Sequence, residues 1–379
     1  MNSCCLNSVL KREHPERFVY APNYWQWFAH HRNHGLLPEE LGNCKSQLEM
    51  IKHLGLEVFS RNIYCQEQQG WFGGLAEPVW TGVDFEQKEH FEGKDRVIER
   101  IYRTARGPLT EKLRYVFNES TLVQEKFLVD DYERQLEPLA ALIQARRWQF
   151  LSERFQQIQS QAGPGGVPVA GELYSPLKLF QLLLGPENAT FLLIDEPDYA
   201  RELIQIHEKA QLDLVRQMAR SGVKAMMAMD NLDSAFHPPH HVEQYSASFY
   251  EKASGICHEH DSLFFIHACG RQRANLALIG SLGVDGLEGV AFPALGDVEL
   301  EEAMDLSGNR LIITGGISAQ EFDRLKTRQQ VFDYVGNLFD RLRPYAHRFL
   351  LAASCNTPYS APWETIVHFR DAWLQHGKV

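Results

Sequence analysis

Residues 262–270 read SLFFIHACG, an apolar strand pattern that runs directly into His267 and Cys269. Similar short apolar segments recur after residue 166, and helical segments such as Asp198–Ser221 and Gln329–Arg343 separate them. The predicted strands are Val167–Ala170, Val223–Met229, Leu263–Ile266, Gly286–Val290, Leu311–Thr314 and Phe349–Ala353. Apolar strands that alternate with amphipathic helices predict a parallel sheet covered by helices.

Polar side chains at the ends of these strands favour a closed barrel over an open doubly wound sheet. They are Glu172, Asp230, His267, Glu288 and Cys355. In a barrel the C-terminal strand ends converge on one face, whereas an open doubly wound sheet spreads them along an edge. We therefore predict an α/β protein with a (β/α)8 TIM barrel and an N-terminal extension, with the open sheet as the alternative.

The chain before the barrel pattern shows no regular alternation of strands and helices. Val97–Arg106 and Leu109–Phe117 are predicted as two extended segments around a turn, and Asp130–Arg154 as a helix. Glycine and proline at 162–166 mark a linker. We expect residues 1–160 to form an extension or cap that packs on the barrel and can supply its first elements, and residues 161–379 to form the barrel itself.

Charge and composition exclude several classes of protein. The formal net charge of −11 disfavours binding to nucleic acid and to anionic membranes. No apolar run approaches the roughly 20 residues of a membrane span, and the first residues lack the apolar segment of a signal peptide. Seven cysteines, an odd number spread along the chain, favour reduced thiols over a disulfide framework. We expect a cytoplasmic protein with no nucleic-acid or membrane partner.

A candidate metal site arises from one histidine and two cysteines at strand ends. His267 and Cys269 are two residues apart, so their side chains lie on the same side of an extended chain, and Cys355 follows another predicted strand. Three such ligands leave a fourth zinc position open for substrate or water. Two thiolate ligands suit the activation of a thiol better than hydrolysis. The alternative is a core histidine with two buried cysteines.

Three carboxylates also follow predicted strands. Asp230, Glu172 and Glu288 are candidate catalytic residues, and each can act as a fourth zinc ligand, as a partner for His267 or as a proton acceptor. Carboxylates at strand ends of barrels also serve structural roles. The residue pattern alone leaves these alternatives open.

Several landmarks together resemble a known family. They are Gly171–Gly185, Asp195-Glu196-Pro197, Met229-Asp230, His267–Gly270, GVDGLEGV at 283–290, GNRLIITGGIS at 308–318 and Ser354–Pro358. From about Val167 onward the chain resembles the uroporphyrinogen decarboxylase (URO-D) superfamily, especially its zinc-dependent methyltransferase branch. That branch includes the methylcobalamin:coenzyme M methyltransferases. A weaker similarity covers Thr104–Leu113, which resembles a hairpin common in the superfamily.

The resemblance implies a function and its cofactors. In the methyltransferases a His-x-Cys…Cys triad binds zinc, and His267, Cys269 and Cys355 match it one for one. It implies transfer of a methyl group between a corrinoid and a thiol or similar small-molecule acceptor. The Asp-x-His-x-x-Gly signature of cobalamin-binding modules does not occur in the sequence. The corrinoid is therefore expected on a partner protein or as free methylcobalamin.

The sequence also departs from the family patterns. The Arg-rich motif that binds porphyrinogen carboxylates in true decarboxylases has no counterpart around Tyr24–Gly35, and those enzymes use no metal. Gly315-Gly316 and the segment 361–365 (APWET) differ from the corresponding methyltransferase motifs, so substrate contacts there cannot be transferred. Two alternatives stay open: a metal-free decarboxylase in which Asp230 or another carboxylate acts on the pyrroles, and a non-catalytic binder of zinc or of a corrinoid protein.

Overall fold

The computed structural model describes residues 3–61, 63, 74–308 and 310–379. Its strands are β1 (Val19–Tyr20), β2 (Phe59–Ser60), β3 (Ala76–Trp80), β4 (Asp84–Glu92), β5 (Asp95–Thr104), β6 (Gly107–Val116), β7 (Thr121–Lys126), β8 (Arg146–Phe150), β9 (Val167–Leu173), β10 (Ala225–Ala228), β11 (Leu263–His267), β12 (Gly286–Val290), β13 (Ile312–Ile317) and β14 (Phe349–Ala353). These strands form three sheets.

The helices are α1 (Ser3–Leu10), α2 (Trp25–His34), α3 (Gln47–His53), α4 (Tyr132–Ala145), α5 (Ser152–Ala162), α6 (Pro176–Asp195), α7 (Pro197–Arg220), α8 (Pro239–Tyr245), α9 (Ala247–Glu259), α10 (Leu276–Ser281), α11 (Leu300–Leu306), α12 (Ala319–Arg324), α13 (Arg328–Leu342) and α14 (Trp363–His376). Short 3-10 turns occur at Glu39–Leu41, Phe117–Glu119 and Arg343–Arg348. None of these helices is both long enough and apolar enough to cross a membrane.

The largest sheet has eight parallel strands in the order β1-β14-β13-β12-β11-β10-β9-β2. Its two ends meet where the backbone N–H of Glu57 donates to the carbonyl of Tyr20 at 3.1 Å. The fold is therefore a (β/α)8 barrel, as predicted, and not an open sheet. The six predicted strands correspond to β9–β14. The first two strands come from the N-terminal segment, so the barrel draws on both sides of the expected boundary at residue 161.

Alternate residues of the strands fill the inside of the barrel. Phe265, Met227 and Leu350 belong to one buried apolar cluster, to which α1 adds Leu6 and Val9. The two-residue period of a strand then places His267, two residues after Phe265, on the same inward side at the C-terminal mouth. The sequence pattern that builds the core thus also aims the histidine at the mouth.

An insertion between β2 and β9 packs on the outside of the barrel. It contains the antiparallel pair β3–β8, the antiparallel sheet β4–β7 and α4, and its apolar side chains pack against α6 and α7. The extended segments predicted at 97–106 and 109–117 are confirmed as β5 and β6. The helix predicted over 130–154 is interrupted at Arg146–Phe150, because this segment pairs with the distant strand β3 and alternates buried with exposed residues; helix resumes with α5 at Ser152.

Candidate metal centre

His267, Cys269 and Cys355 come together at the mouth of the barrel. His267 ends β11, Cys269 follows it by two residues, and Cys355 lies two residues beyond β14. Their ligand atoms all lie within 4.8 Å of one another, and the Cys355 Sγ is 3.7 Å from the His267 Nε2. Within the ranges that the structure describes, this is the one group of three or more His, Cys, Asp or Glu side chains close enough to hold a metal ion.

The geometry of these donors fits zinc. Tetrahedral zinc bonds nitrogen at about 2.0–2.1 Å and thiolate sulfur at about 2.3 Å, which puts two such ligands of one ion roughly 3.5 Å apart. The observed separation of 3.7 Å between Nε2 and Sγ is close to that value. One imidazole and two thiolates are also donors that bind zinc, whereas magnesium and calcium bind oxygen donors. The three residues therefore suit a zinc ion with a free fourth position.

Glu288 orients the candidate histidine ligand. It is the register partner of His267 on the neighbouring strand β12, and its Oε2 contacts the His267 Nδ1. With Nδ1 engaged by a carboxylate, Nε2 is the nitrogen that faces Cys355 and is available to a metal. Although burial opposes ionisation of Glu288, Arg61 and His267 together hold its pKa at about 2. Of the three roles open to Glu288, this geometry favours that of partner to His267.

Arg61 is a buried cation at this centre, and sequence reasoning missed it. Its Nε donates to Glu288 at 3.1 Å, and its Nη2 lies 3.7 Å from the Cys355 Sγ and 3.3 Å from the Asn356 Oδ1. Because β2 has only two residues, no periodic pattern marks the position that follows it.

The two cysteines differ in acidity because they contact each other. A hydrogen bond from Cys269 lowers the pKa of Cys355 well below that of an ordinary thiol, with help from His267 and Arg61 and against the effect of burial. The same contact, together with burial, raises the pKa of Cys269. Cys355, which contacts both Arg61 and His267, is therefore the more acidic thiol of the pair.

Asp230 lies outside the donor group and organises a neighbouring part of the mouth. It is fully buried just after β10, where it accepts a hydrogen bond from the Ser175 N–H at 2.9 Å and another from the Tyr250 hydroxyl. Burial raises its pKa, against the effect of these hydrogen bonds. Lys178, in the first turn of α6, is close enough to Asp230 and Cys269 for both to raise its pKa, but burial outweighs them and lowers it.

Glu172 also lies outside the donor group. Its Oε1 accepts a hydrogen bond from the backbone N–H of Leu75 at 2.9 Å, just before β3 begins. The carboxylate therefore ties the start of the insertion to β9. Among its possible roles, this contact favours a structural one.

Replacing Glu288 with glutamine should weaken zinc binding. We expect a loss of about 10–100-fold, because a neutral amide accepts the Nδ1–H of His267 less strongly and orients the ring less firmly. Competition with a chromophoric chelator measures the affinity. Glu321→Gln is the matched control, since Glu321 is equally buried but pairs with Arg324 on α12. Equal zinc affinities of the two variants would contradict the role of Glu288.

Comparisons with known proteins agree with this fold. The family model described as uroporphyrinogen decarboxylase (URO-D) matches residues 112–376. No curated protein matches the chain by sequence. The solved structure of a methyltransferase from Methanosarcina mazei superposes with a TM-score of 0.57 at 13% identity, covering 98% of this chain and 97% of that one. At this identity the likeness concerns the fold.

A D-psicose 3-epimerase from Clostridium cellulolyticum H10, in complex with D-tagatose, is a more distant neighbour. It covers 59% of this chain and 83% of its own length at 9% identity, and its TM-score of 0.36 is too low to support an inference. The family match, by contrast, includes β9–β14 and all three candidate ligands. Because it spans well over half of the chain, the chain belongs to the uroporphyrinogen decarboxylase (URO-D) family.

Proposed function

We propose that this protein is a zinc-dependent methyltransferase that moves a methyl group between a corrinoid and a thiol or similar small acceptor. The observation that carries the proposal is the group of His267, Cys269 and Cys355, whose ligand atoms lie within 4.8 Å of one another at the mouth of the barrel. The fold shared with the M. mazei methyltransferase supports it. The corrinoid is either free methylcobalamin or the cofactor of a partner protein.

Each residue around the centre has a part in this proposal. His267, Cys269 and Cys355 would hold zinc, which when bound lowers the pKa of a thiol and keeps it nucleophilic at neutral pH. Glu288 fixes the His267 ring through Nδ1. Arg61 places a positive charge beside Cys355 and limits the build-up of negative charge there.

The remaining carboxylates shape the site around the reacting groups. Asp230 holds the N-terminal turn of α6 through Ser175, and that turn carries Lys178 toward Cys269. Glu172 anchors the insertion.

In the transfer, the thiol sulfur attacks the methyl carbon, the carbon–cobalt bond breaks with its electron pair left on cobalt, and the thiol proton passes to solvent. Run backwards, the same site loads a corrinoid from a methylated donor.

Metal content and methyl transfer together test the proposal. We expect about one zinc per chain in protein purified with zinc in the medium. Loss of methylcobalamin, followed by its absorbance with a panel of thiols and with tetrahydrofolate, should require the bound metal. Cys269→Ser should lower zinc affinity and turnover by more than the roughly 10–100-fold that loss of an outer partner of a ligand costs. Cys44→Ser, which removes a half-buried thiol outside the centre, should change neither.

Three results would contradict the proposal. Protein that stays metal-free in the presence of zinc would remove its basis, and decarboxylation of uroporphyrinogen by such protein would favour the decarboxylase alternative. Zinc binding without methyl transfer to or from any acceptor or donor would favour a non-catalytic binder.

A further inference from the structure

A buried arginine in the insertion forms no ion pair with any residue that the structure describes. Arg146 begins β8 and is only 8% exposed. Its side chain makes one hydrogen bond to the described residues, from Nη2 to the Nδ1 of His207 at 3.5 Å, and its guanidinium lies 5.2 Å from the centre of the Trp148 ring. Among the described residues, no carboxylate forms an ion pair with it. An arginine carries five N–H donors, so most of its hydrogen-bonding capacity is unused.

His207 cannot supply the missing negative charge. Its Nε2 donates to the carbonyl of Tyr174 at 3.2 Å, so its Nδ1 is left as a neutral acceptor for Arg146. Burial and the nearby Arg146 both lower the pKa of His207 well below its usual value, which keeps the ring uncharged. The pair therefore retains the full positive charge of the guanidinium.

Glu111, the buried carboxylate whose charge acts on Arg146, is already paired. Glu111 accepts a hydrogen bond from the Arg100 Nη1 at 3.3 Å and another from the Tyr102 hydroxyl at 2.7 Å. Within this cluster of Arg100, Glu111 and Arg146, the one carboxylate among the described residues is hydrogen-bonded to Arg100, so Arg146 has no ion-pair partner there. A buried ion without a partner costs several kcal/mol, so this charge calls for an anion.

A cavity beside Arg146 has the size for such an anion. It measures about 30 Å³ and lies between the insertion and the barrel, and the charged residues of its described lining are Glu111 and Arg146. Trp148 also lines it, and the buried indole Nε1–H of Trp148 finds no acceptor in the described part of the chain. One water needs roughly 10–15 Å³ measured in this way, so the cavity holds one monatomic anion or two waters and excludes an organic ligand. Two waters would leave the charge uncompensated.

We propose that Arg146 binds a halide ion, physiologically chloride, in this cavity. The ion would accept hydrogen bonds from the guanidinium and balance the charge of the cluster. The cavity is lined by Trp80 and Tyr102 of the insertion and by Leu179 and Leu183 of α6, so the bound ion would also strengthen the attachment of the insertion to the barrel. This site is separate from the metal centre and does not depend on the proposed function.

Thermal unfolding in two salts tests the site in the unmodified protein. At matched ionic strength, the Tm should rise by about 1–2 °C for each tenfold increase in chloride above its dissociation constant. Gluconate is too large for the cavity and should have no such effect. Equal Tm values in chloride and gluconate would overturn the proposal.

Two variants and a diffraction experiment locate the effect. Arg146→Met should abolish the response to chloride, whereas Arg147→Met, which removes the exposed arginine next to it, should keep the response. A response that survives Arg146→Met would place the ion elsewhere and contradict the assignment. If Arg146→Met does not fold, crystals of the unmodified protein grown in bromide decide the matter. An anomalous peak within hydrogen-bonding distance of the guanidinium is expected, and its absence would refute the site.

Discussion

Arg61→Met is expected to destabilise the metal-free protein by about 3–5 kcal/mol. The Arg61–Glu288 ion pair is almost fully buried, with side-chain exposures of 5% and 8%. Removing the cation leaves the Glu288 carboxylate and the Cys355 sulfur in a buried site without their main positive neighbour. Methionine keeps a similar length and apolar stem, so the loss reports on charge more than on volume. Urea unfolding of chelator-treated protein measures the change.

The double variant Arg61→Met/Glu288→Gln provides the control for this effect. If the two charges stabilise each other, the double variant should be destabilised by clearly less than the sum of the two single variants. Additive losses would show that Arg61 acts on the fold without its contact to Glu288, contrary to our account.

The pH dependence of the Arg61→Met effect has a definite sign. Glu288 has a pKa of about 2 in the folded protein, whereas its pKa in the unfolded chain is about 4.5. The ionised carboxylate therefore stabilises the folded protein fully at pH values above about 4.5. That gain disappears as the pH falls from about 4.5 to about 2. Arg61→Met should therefore be less destabilising at about pH 3.5 than at about pH 7. If the loss of stability caused by Arg61→Met grew toward acid pH, the ion pair of Arg61 with Glu288 would not be its cause.

Gly286→Ala should destabilise the barrel by about 3 kcal/mol. A Cβ at this position would lie 2.5 Å from the carbonyl oxygen of Ile312 and closer still to the Phe265 ring inside the barrel. The backbone of β13 cannot move away without breaking its pairing with β12. Thermal or urea unfolding followed by circular dichroism measures the loss.

Gly255→Ala is the matched control for that substitution. Gly255 lies on an exposed turn of α9, and a Cβ there would meet no atom within 4 Å. Alanine favours a helix over glycine by about 0.8–1 kcal/mol, so this variant should be slightly more stable than the unmodified protein. If Gly286→Ala were tolerated as well as Gly255→Ala, the close packing described for the inside of the barrel would be incorrect.

Sequence patterns predicted the fold best where apolar strands alternate regularly with helical segments. Six of the eight barrel strands were predicted, because each is a run of apolar residues next to a helical segment. Strands β1 and β2 escaped prediction, since two residues are too few to show a period. Strand β8 was not predicted, because it forms only by pairing with β3, which lies about 70 positions earlier in the chain.

In the candidate metal centre, too, some residues could be predicted from the sequence and others could not. The soft donors of His267, Cys269 and Cys355 are visible in the sequence because each follows an apolar strand, and strand ends converge in a barrel. The sequence alone therefore determined the barrel class and the three candidate ligands. Only the tertiary structure decided that Glu288 faces His267, that Arg61 completes the cluster, and that Arg146 is buried with no ion-pair partner among the described residues. Those properties depend on contacts between distant parts of the chain, and no local pattern records them.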